Sequence, residues 1–396
     1  MRLWVVSHTY IVDLNCDKLK AMAALAADRG RTLEMTVVVP RTWKPGGVVG
    51  GTVCSQGYDQ GNFRVVPVGN FSQTHQGLLC FRSELVSLLR QHPPDVIQVE
   101  QGAKSLAYAQ LITLNGLLGL NAKRVLFTWW NLPYALRPPL VWLERYNLHH
   151  TDGAIAGNRD AAAILRQRGY GGPIAVLPQL GVNEQQFCRC PQPELAAALG
   201  LSRRDDSQGW QEFSWQEFIV GYVGRFVPEK GLRTLAEALV GLPELPWRWL
   251  LVGRGPLRAE LSERMQRAGL GDRLRWVEAV PHADIPRYLN VMNVLVLPSE
   301  TTPHWKEQFG HVLIEAMACQ VPVIGSDSGE IPHVIGDAGL IFPEGQVAAL
   351  RDRLQALMQR PTLAAELAAR GYQRAIAHFT NRVLAAKQLE FYDQLM

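Results

Sequence analysis

At 396 residues the chain is long enough for two or three domains, each with its own core. Its 47% hydrophobic and 19% charged residues, with no low-complexity run, are those of an ordinary soluble globular protein. Charge is unevenly spread: residues 1–180 hold 18 Lys/Arg against 11 Asp/Glu, and the remainder 22 against 25. The basic half is compatible with an anionic acceptor or an anionic membrane surface, and equally with a solvated basic face. No Lys/Arg cluster is interleaved with aromatics, so a nucleic-acid partner is not expected. Six scattered cysteines form no CxxC pair, and Cys188-Arg189-Cys190 is too tight for usual metal spacing, which predicts reduced thiols in a cytoplasmic protein. The start, MRLWVVSHTY, has no signal-peptide apolar region, and no apolar run reaches the ~18 residues of a membrane span.

In chain order, an apolar run at 3–7, an amphipathic segment at 14–27 and a strand at 35–39 predict a βαβ opening on a parallel sheet. The first loop, SHTYIVDLN, lacks glycine and is no dinucleotide fingerprint. Residues 43–61 read as a long Gly/Pro-rich loop near a cleft. Strand 64–68, helix 78–90, strand 95–99, helix 103–118 and strand 124–128 continue the alternation. His8, Glu100, Trp130 and Asn131 stand at or just past the carboxyl ends of strands, where open α/β sheets bind ligands. Ordinary loop capping explains the same positions equally well. Helix 139–149 places Trp142 and Leu143 on its apolar side; strand 153–156, helix 159–168 and strand 174–177 close the first half.

Residues 178–182 read as a crossover and hinge, and 203–216 as a charged surface insertion or linker. A second βα series follows: strand 218–223, helix 232–239, strand 247–252, helix 257–268, strand 273–276, helix 285–289, strand 294–297, a helix from about 309 or 310, and strands 321–324 and 339–342. Helical segments at 347–359, 363–378 and 382–395 end the chain. The expected fold is α/β, with two doubly wound domains flanking a crevice.

Three strand-to-helix loops carry chemistry. GRFVPEKG combines glycines, which let backbone N–H groups approach an anion, with the cations Arg225 and Lys230; this suits a diphosphate. Alone, Arg-x4-Lys is weak, because a lysine near a turn is usually solvated. Gly253-Arg254-Gly255-Pro256 repeats the pattern and either contacts a base or ribose or is a tight turn. In PSETTPHWKEQFGHVLIEAMACQVPVIGSDSGE, a helix starting at Gly310 offers N–H groups to a phosphate or sugar hydroxyl, and Glu307 and Glu315 frame it. Glu315 shares a helical face with His311 through i,i+4 spacing.

Together these segments resemble the retaining nucleotide-sugar glycosyltransferases of family four, which have the GT-B fold. GYVGRFVPEKGLRTLAEAL looks like that family's phosphate loop, and EQFGHVLIEAMACQVPVIGSDSGE like its E-x7-E element. TDGAIAGNRDAAAILRQRGY with IAVLPQLGVNEQQF is similar to its passage between domains; residues 120–345 carry the likeness strongly, and the N-terminal third only in βα rhythm. The resemblance implies an acceptor domain at 1–180, with the helix at 380–396 packing back on it, and a donor domain at 181–379. It implies that Arg225 and Lys230 stabilise charge on the departing nucleotide, with Glu307 as a third catalytic group contacting the transferred sugar. Glu315 would hold ribose hydroxyls. Gly224, Gly253 and Arg254 would line the donor site, with backbone N–H groups around Phe309, Gly310 and His311. No metal and no cofactor beyond the nucleotide sugar is implied, and no Asp-x-Asp motif is present. The acceptor would be a sugar, glycan or glycolipid, in polysaccharide or glycoconjugate biosynthesis.

The chain departs from the family pattern in three places. Ser7-His8-Thr9 stands where paired glycines are common, Trp130-Asn131 where a His-Asp pair is common, and Gln320 and Glu330 where glycine is common. Two alternatives stay open: a nucleotide-sugar 2-epimerase of the same fold, and a non-catalytic sugar-nucleotide-binding subunit. The identity of base, sugar and acceptor, and the oligomeric state, carry no sequence signal.

Overall fold

The computed structural model describes residues 1–44, 51–201 and 217–396. The insertion expected at 203–216, and part of the loop expected at 43–61, lie outside the described residues. The chain forms two compact units, Met1–Gly181 with Asn381–Met396, and Val182–Thr380.

The strands of the first unit are β1 (Arg2–Val6), β2 (Glu34–Pro40), β3 (Thr42–Trp43), β4 (Val53–Cys54), β5 (Tyr58–Asp59), β6 (Phe63–Val68), β7 (Val96–Val99), β8 (Lys123–Thr128), β9 (Gly153–Ala156) and β10 (Ile174–Val176). Eight of them form one sheet in the order β10-β9-β8-β7-β1-β2-β6-β5. It is parallel except for the edge strand β5, which runs antiparallel to β6. Part of the stretch expected as loop is therefore strand: β5 joins this sheet, and β3 pairs with β4.

Period-two alternation along β1 feeds two cores. Leu3 and Val5 face one that includes Leu19 and Met22 of α1 (Asp17–Asp28). Trp4 and Val6 face the other, with Leu85 and Leu89 of α2 (Glu84–Gln91) and Leu111 of α3 (Leu106–Leu117). The helices begin later than expected. A 3-10 turn over Gln76–Leu78 precedes α2, and Ser105 caps α3 by accepting the Tyr108 N–H at 3.2 Å.

In α4 (Leu140–His149) the expected apolar face is wrong: Trp142 is 62% exposed. The buried face carries the polar Glu144 and Asn147 beside Leu148, and Asn147 Oδ1 is buried without a hydrogen-bond partner. Asn147 donates to the Ala103 and Ser105 carbonyls, and Glu144 takes hydrogen bonds from Tyr134 and Arg168. Those bonds fix the helix rotation and leave Trp142 outside. The helix α5 (Arg159–Gln167) follows β9.

The second unit opens with α6 (Pro193–Ala198), which was not anticipated. Its sheet contains β11 (Phe218–Val223), β12 (Trp247–Val252), β13 (Leu274–Val277), β14 (Val294–Leu297), β15 (Val323–Ser326) and β16 (Leu340–Phe342). The order is β13-β12-β11-β14-β15-β16, all parallel. The strand order reverses between β11 and β14, the switch point where doubly wound sheets open a ligand crevice. The helices are α7 (Leu232–Val240), α8 (Leu257–Arg267), α9 (Ile285–Leu289), α10 (His311–Ala318), α11 (Ile331–Ile335), α12 (Val347–Gln359) and α13 (Pro361–His378).

The chain then returns to the first unit as α14 (Asn381–Leu395), whose Leu389 and Tyr392 lie in the same core as α1. Arg31 grips Asp393 with two bonds of 2.6 and 2.7 Å. Among the described residues, no helix is long and apolar enough to cross a membrane.

The helix α10 ends at a left-handed residue that is not glycine: Gln320 has φ 58°. Its N–H reaches Met317 O at 3.0 Å, and Val321 N reaches Ala316 O at 2.9 Å, a Schellman-type stop. Gln320→Gly is expected to stabilise the protein by about 1 kcal/mol, seen as a Tm rise of about 2–4 °C. An unchanged or lower Tm would show that the side chain compensates for the strain.

Candidate active site

In the second unit the loops leaving β11, β14 and β15 converge at the switch point. The β11 loop runs through a 3-10 turn, Pro228–Lys230, to Gly231, whose φ of 65° starts α7. The β14 loop crosses it: Glu300 N donates to Glu229 O at 2.9 Å. Lys230 Nζ then lies 2.6 Å from Glu307 Oε2 and 4.7 Å from the centre of the Trp305 ring. Ser299 Oγ donates to the same carboxylate oxygen at 2.8 Å. From the β15 side, Glu330 N donates to Glu307 O at 3.2 Å. Gly329 is packed so tightly there that a Cβ would sit 1.9 Å from that oxygen.

Glu307 is thus fixed at both backbone and side chain. The Lys230 and Glu307 side chains are only 16% and 9% exposed, so their attraction is weakly screened. Arg225 projects from the same loop, its side chain 47% exposed and 3.8 Å from Glu229. Tyr222, at the end of β11, donates to Arg225 O at 2.8 Å, and burial with the nearby Glu307 charge holds its phenol well above the usual range. Gly224 follows Val223 directly.

The Gly253-Arg254 loop lies backbone to backbone on the β11 loop, with Phe226 N donating to Arg254 O at 2.9 Å. Arg254 is exposed. Gly310 caps α10 with φ 82°, and Phe309 is buried with its ring 5.0 Å from that of His311. Glu315 meets a histidine from another element: His282 Nε2 sits 2.8 Å from Glu315 Oε1, its ring 5.2 Å from that of Phe187. Glu330, at φ −84°, does not need glycine's freedom.

The acceptor-side candidates of the first unit are not equivalent. Glu100 is buried at 3% exposure and fully engaged: Tyr10 and Gln98 donate to one oxygen at 3.0 and 2.6 Å, and Gln179 to the other at 2.6 Å. Burial raises its pKa, and burial also lowers that of nearby Lys18, to about 8. This carboxylate lies inside a buried hydrogen-bond network of the first unit. Asn131 is likewise buried, at 6%. Trp130 is 46% exposed, its indole N–H donating to Leu132 O at 2.5 Å. His8 is mostly enclosed, 5.0 Å from the Trp43 ring, and burial lowers its pKa to about 4, so the imidazole is neutral near pH 7. Its Nδ1 is buried without a hydrogen-bond partner.

With this geometry in view, residues 205–374 match the family model described as glycosyl transferases group 1. That match covers most of the second unit and none of the first. It is 32% identical over 181 residues to 2-deoxystreptamine N-acetyl-D-glucosaminyltransferase of Streptomyces fradiae, covering 41% of each chain. It is 33% identical over 190 residues to the lipopolysaccharide core biosynthesis mannosyltransferase LpsB of Rhizobium meliloti (strain 1021), covering 45% of this chain and 52% of that one. The matches thus span about half the length of these curated relatives.

Several solved structures match nearly end to end. Anabaena HepE in complex with UDP has TM-score 0.71 at 18% identity, over 99% of both chains. Sucrose-phosphate synthase from Thermosynechococcus elongatus has TM-score 0.68 at 23% identity, over 100% of this chain and 99% of that one. The shared fold is GT-B, two Rossmann-like units.

All donor-side candidates, from Gly224 to Glu315, fall inside the matched region. Sequence reasoning missed Ser299, Trp305 and His282 beside them. Ser299 and Trp305 lie within the stretch that contains Glu307, so proximity was the available signal. His282 is 33 residues from Glu315, and nothing local marks it.

Proposed function

We propose that the protein is a retaining glycosyltransferase that moves a sugar from a nucleotide diphosphate sugar to a sugar, glycan or glycolipid acceptor. The supporting observation is the meeting of Lys230 with Glu307 and Ser299 at the switch point, inside the region that matches the group 1 model. In this reading Lys230 and Arg225 take up the negative charge that grows on the diphosphate as the anomeric C–O bond breaks. The acceptor oxygen forms the new bond on the same face, and its proton passes to the leaving phosphate oxygen. No nucleophilic carboxylate is needed, so Glu307 is left to hold the transferred sugar. Glu315, oriented by His282, accepts hydrogen bonds from ribose hydroxyls. The two cations also make a divalent metal unnecessary. UDP is the first nucleotide to try, because HepE was solved with it.

The test is a panel of nucleotide sugars scored for binding and slow hydrolysis, with and without EDTA, and repeated with Glu307→Ala. One donor should be hydrolysed with retained anomeric configuration, insensitively to EDTA, with hydrolysis falling at least ~100-fold in the variant. Epimer formation from donor alone would establish the epimerase instead. Full function of Glu307→Ala in the protein's pathway would favour a non-catalytic subunit.

A further inference from the structure

The loops at the carboxyl ends of β6, β7 and β8 enclose a cavity of about 680 Å³ that the donor chemistry does not use. Its apolar wall is Leu78, Leu106, Pro139, Leu140 and Leu143, with Lys104 at one side and the polar 74–77 stretch completing the rim. Leu78, Leu106 and Leu140 are 53%, 37% and 43% exposed, so the apolar wall stands open to solvent. A concave apolar surface of this size, on the ligand-bearing edge of a doubly wound sheet, is built to bury something.

The polar end of the cavity is equally defined. Lys104 Nζ sits 4.0 Å from the centre of the Trp130 ring and 3.7 Å from that of Tyr134. Tyr134 is anchored from behind, by its bond to the buried Glu144 and by Arg168 at 5.1 Å over its ring. The ammonium is therefore held in place by two aromatic faces and half withdrawn from water. Burial lowers its pKa, with the Glu144 charge opposing that effect and Arg168 adding to it. An apolar trough with a positioned cation at its end matches a molecule that has an aliphatic chain and an anionic headgroup.

We propose that this cavity binds the aliphatic chain of an amphiphilic acceptor, with the acceptor's phosphate at Lys104. The inference rests on the transferase reading for the role of the bound molecule as acceptor, and it narrows the acceptor to lipid-linked forms. Trp130, placed at a strand end in the sequence, becomes part of the platform that positions Lys104.

The test uses octyl phosphate, dodecyl phosphate and dodecyl maltoside below their micelle concentrations, with binding followed by tryptophan fluorescence and calorimetry on the full chain. Dodecyl phosphate should bind saturably and at least ~10-fold more tightly than octyl phosphate, since each buried methylene adds to affinity. Leu78→Asp and Leu140→Asp, both at exposed positions, should each weaken it at least ~10-fold. Lys104→Gln should remove the preference for phosphate over maltoside. Binding that ignores chain length, or that survives both aspartate substitutions, overturns the proposal. So does sedimentation with phosphatidylglycerol vesicles when monomeric dodecyl phosphate does not bind, which would make the patch a membrane-docking surface. Donor hydrolysis, measured on the same preparation, separates the two readings. Chain binding without any donor turnover leaves the cavity assignment standing and removes the transferase.

Discussion

Lys230→Ala is expected to lower kcat/KM for the nucleotide-sugar donor by about 10²–10³-fold while the protein stays folded. Two consequences of the substitution must be separated. The first is loss of the cation that meets the leaving diphosphate. The second is a carboxylate left without its partner, which for a fully buried pair costs about 3–5 kcal/mol. Here the pair retains some exposure and Ser299 Oγ still donates to Glu307, so a cost of about 1–2 kcal/mol is expected. The double variant Lys230→Ala/Glu307→Gln discriminates between them. Neutralising the carboxylate should restore most of the lost stability and none of the rate. A single variant that works within about threefold of the parent would remove Lys230 from the mechanism.

Gly231→Ala should have the largest effect on stability of any exchange in the site. Its φ of 65° is disfavoured for alanine, and its Cβ would lie 1.7 Å from Pro298 O, a backbone atom that cannot swing aside. Strain of about 1–2 kcal/mol adds to an overpacking penalty of about 1–3 kcal/mol. At about 2–4 °C per kcal/mol, Tm should fall by roughly 4–20 °C. Gly269→Ala is the internal control: φ is 73°, yet nothing lies within 4 Å of its added Cβ. It should show the strain alone. Equal losses at the two positions would mean that the close crossing of the β11 and β14 loops contributes little.

The second unit was legible because its information is local. Each strand, glycine loop and helix lies within about thirty residues, so the pattern GRFVPEKG followed by a helix could be placed without knowing the sheet order. In the first unit the surroundings of each side chain depend on distant partners. Glu100 looked like a strand-end ligand, but Tyr10 and Gln179 reach it across 90 and 79 positions and absorb it into a buried network. Trp142 was placed inward by periodicity, and Asn147 and Glu144 rotate the helix the other way through bonds to residues up to 44 positions away. Glu315 and His311 share the α10 face that helical spacing implies, while the His282 contact to Glu315 comes from another element and has no local signal. Departures from the expected family pattern proved informative in unequal measure. Gln320 occupies a left-handed position that suits glycine, whereas Glu330 has an ordinary helical backbone.

The return of α14 to the first unit bears on how the chain is made. Gln388 and Tyr392 donate to Gln98 at 3.1 and 2.6 Å, across separations of 290 and 294 residues, and Leu395 covers Gly153. On a ribosome, the first unit emerges early but cannot close its core until the second has been synthesised. The Val182–Thr380 unit is contiguous, so it can complete its fold while its predecessor waits with one apolar face uncovered. A nascent first unit is therefore the aggregation-exposed species during synthesis. Any fusion or truncation that delays α14 prolongs that exposure, although it touches no residue of the donor site.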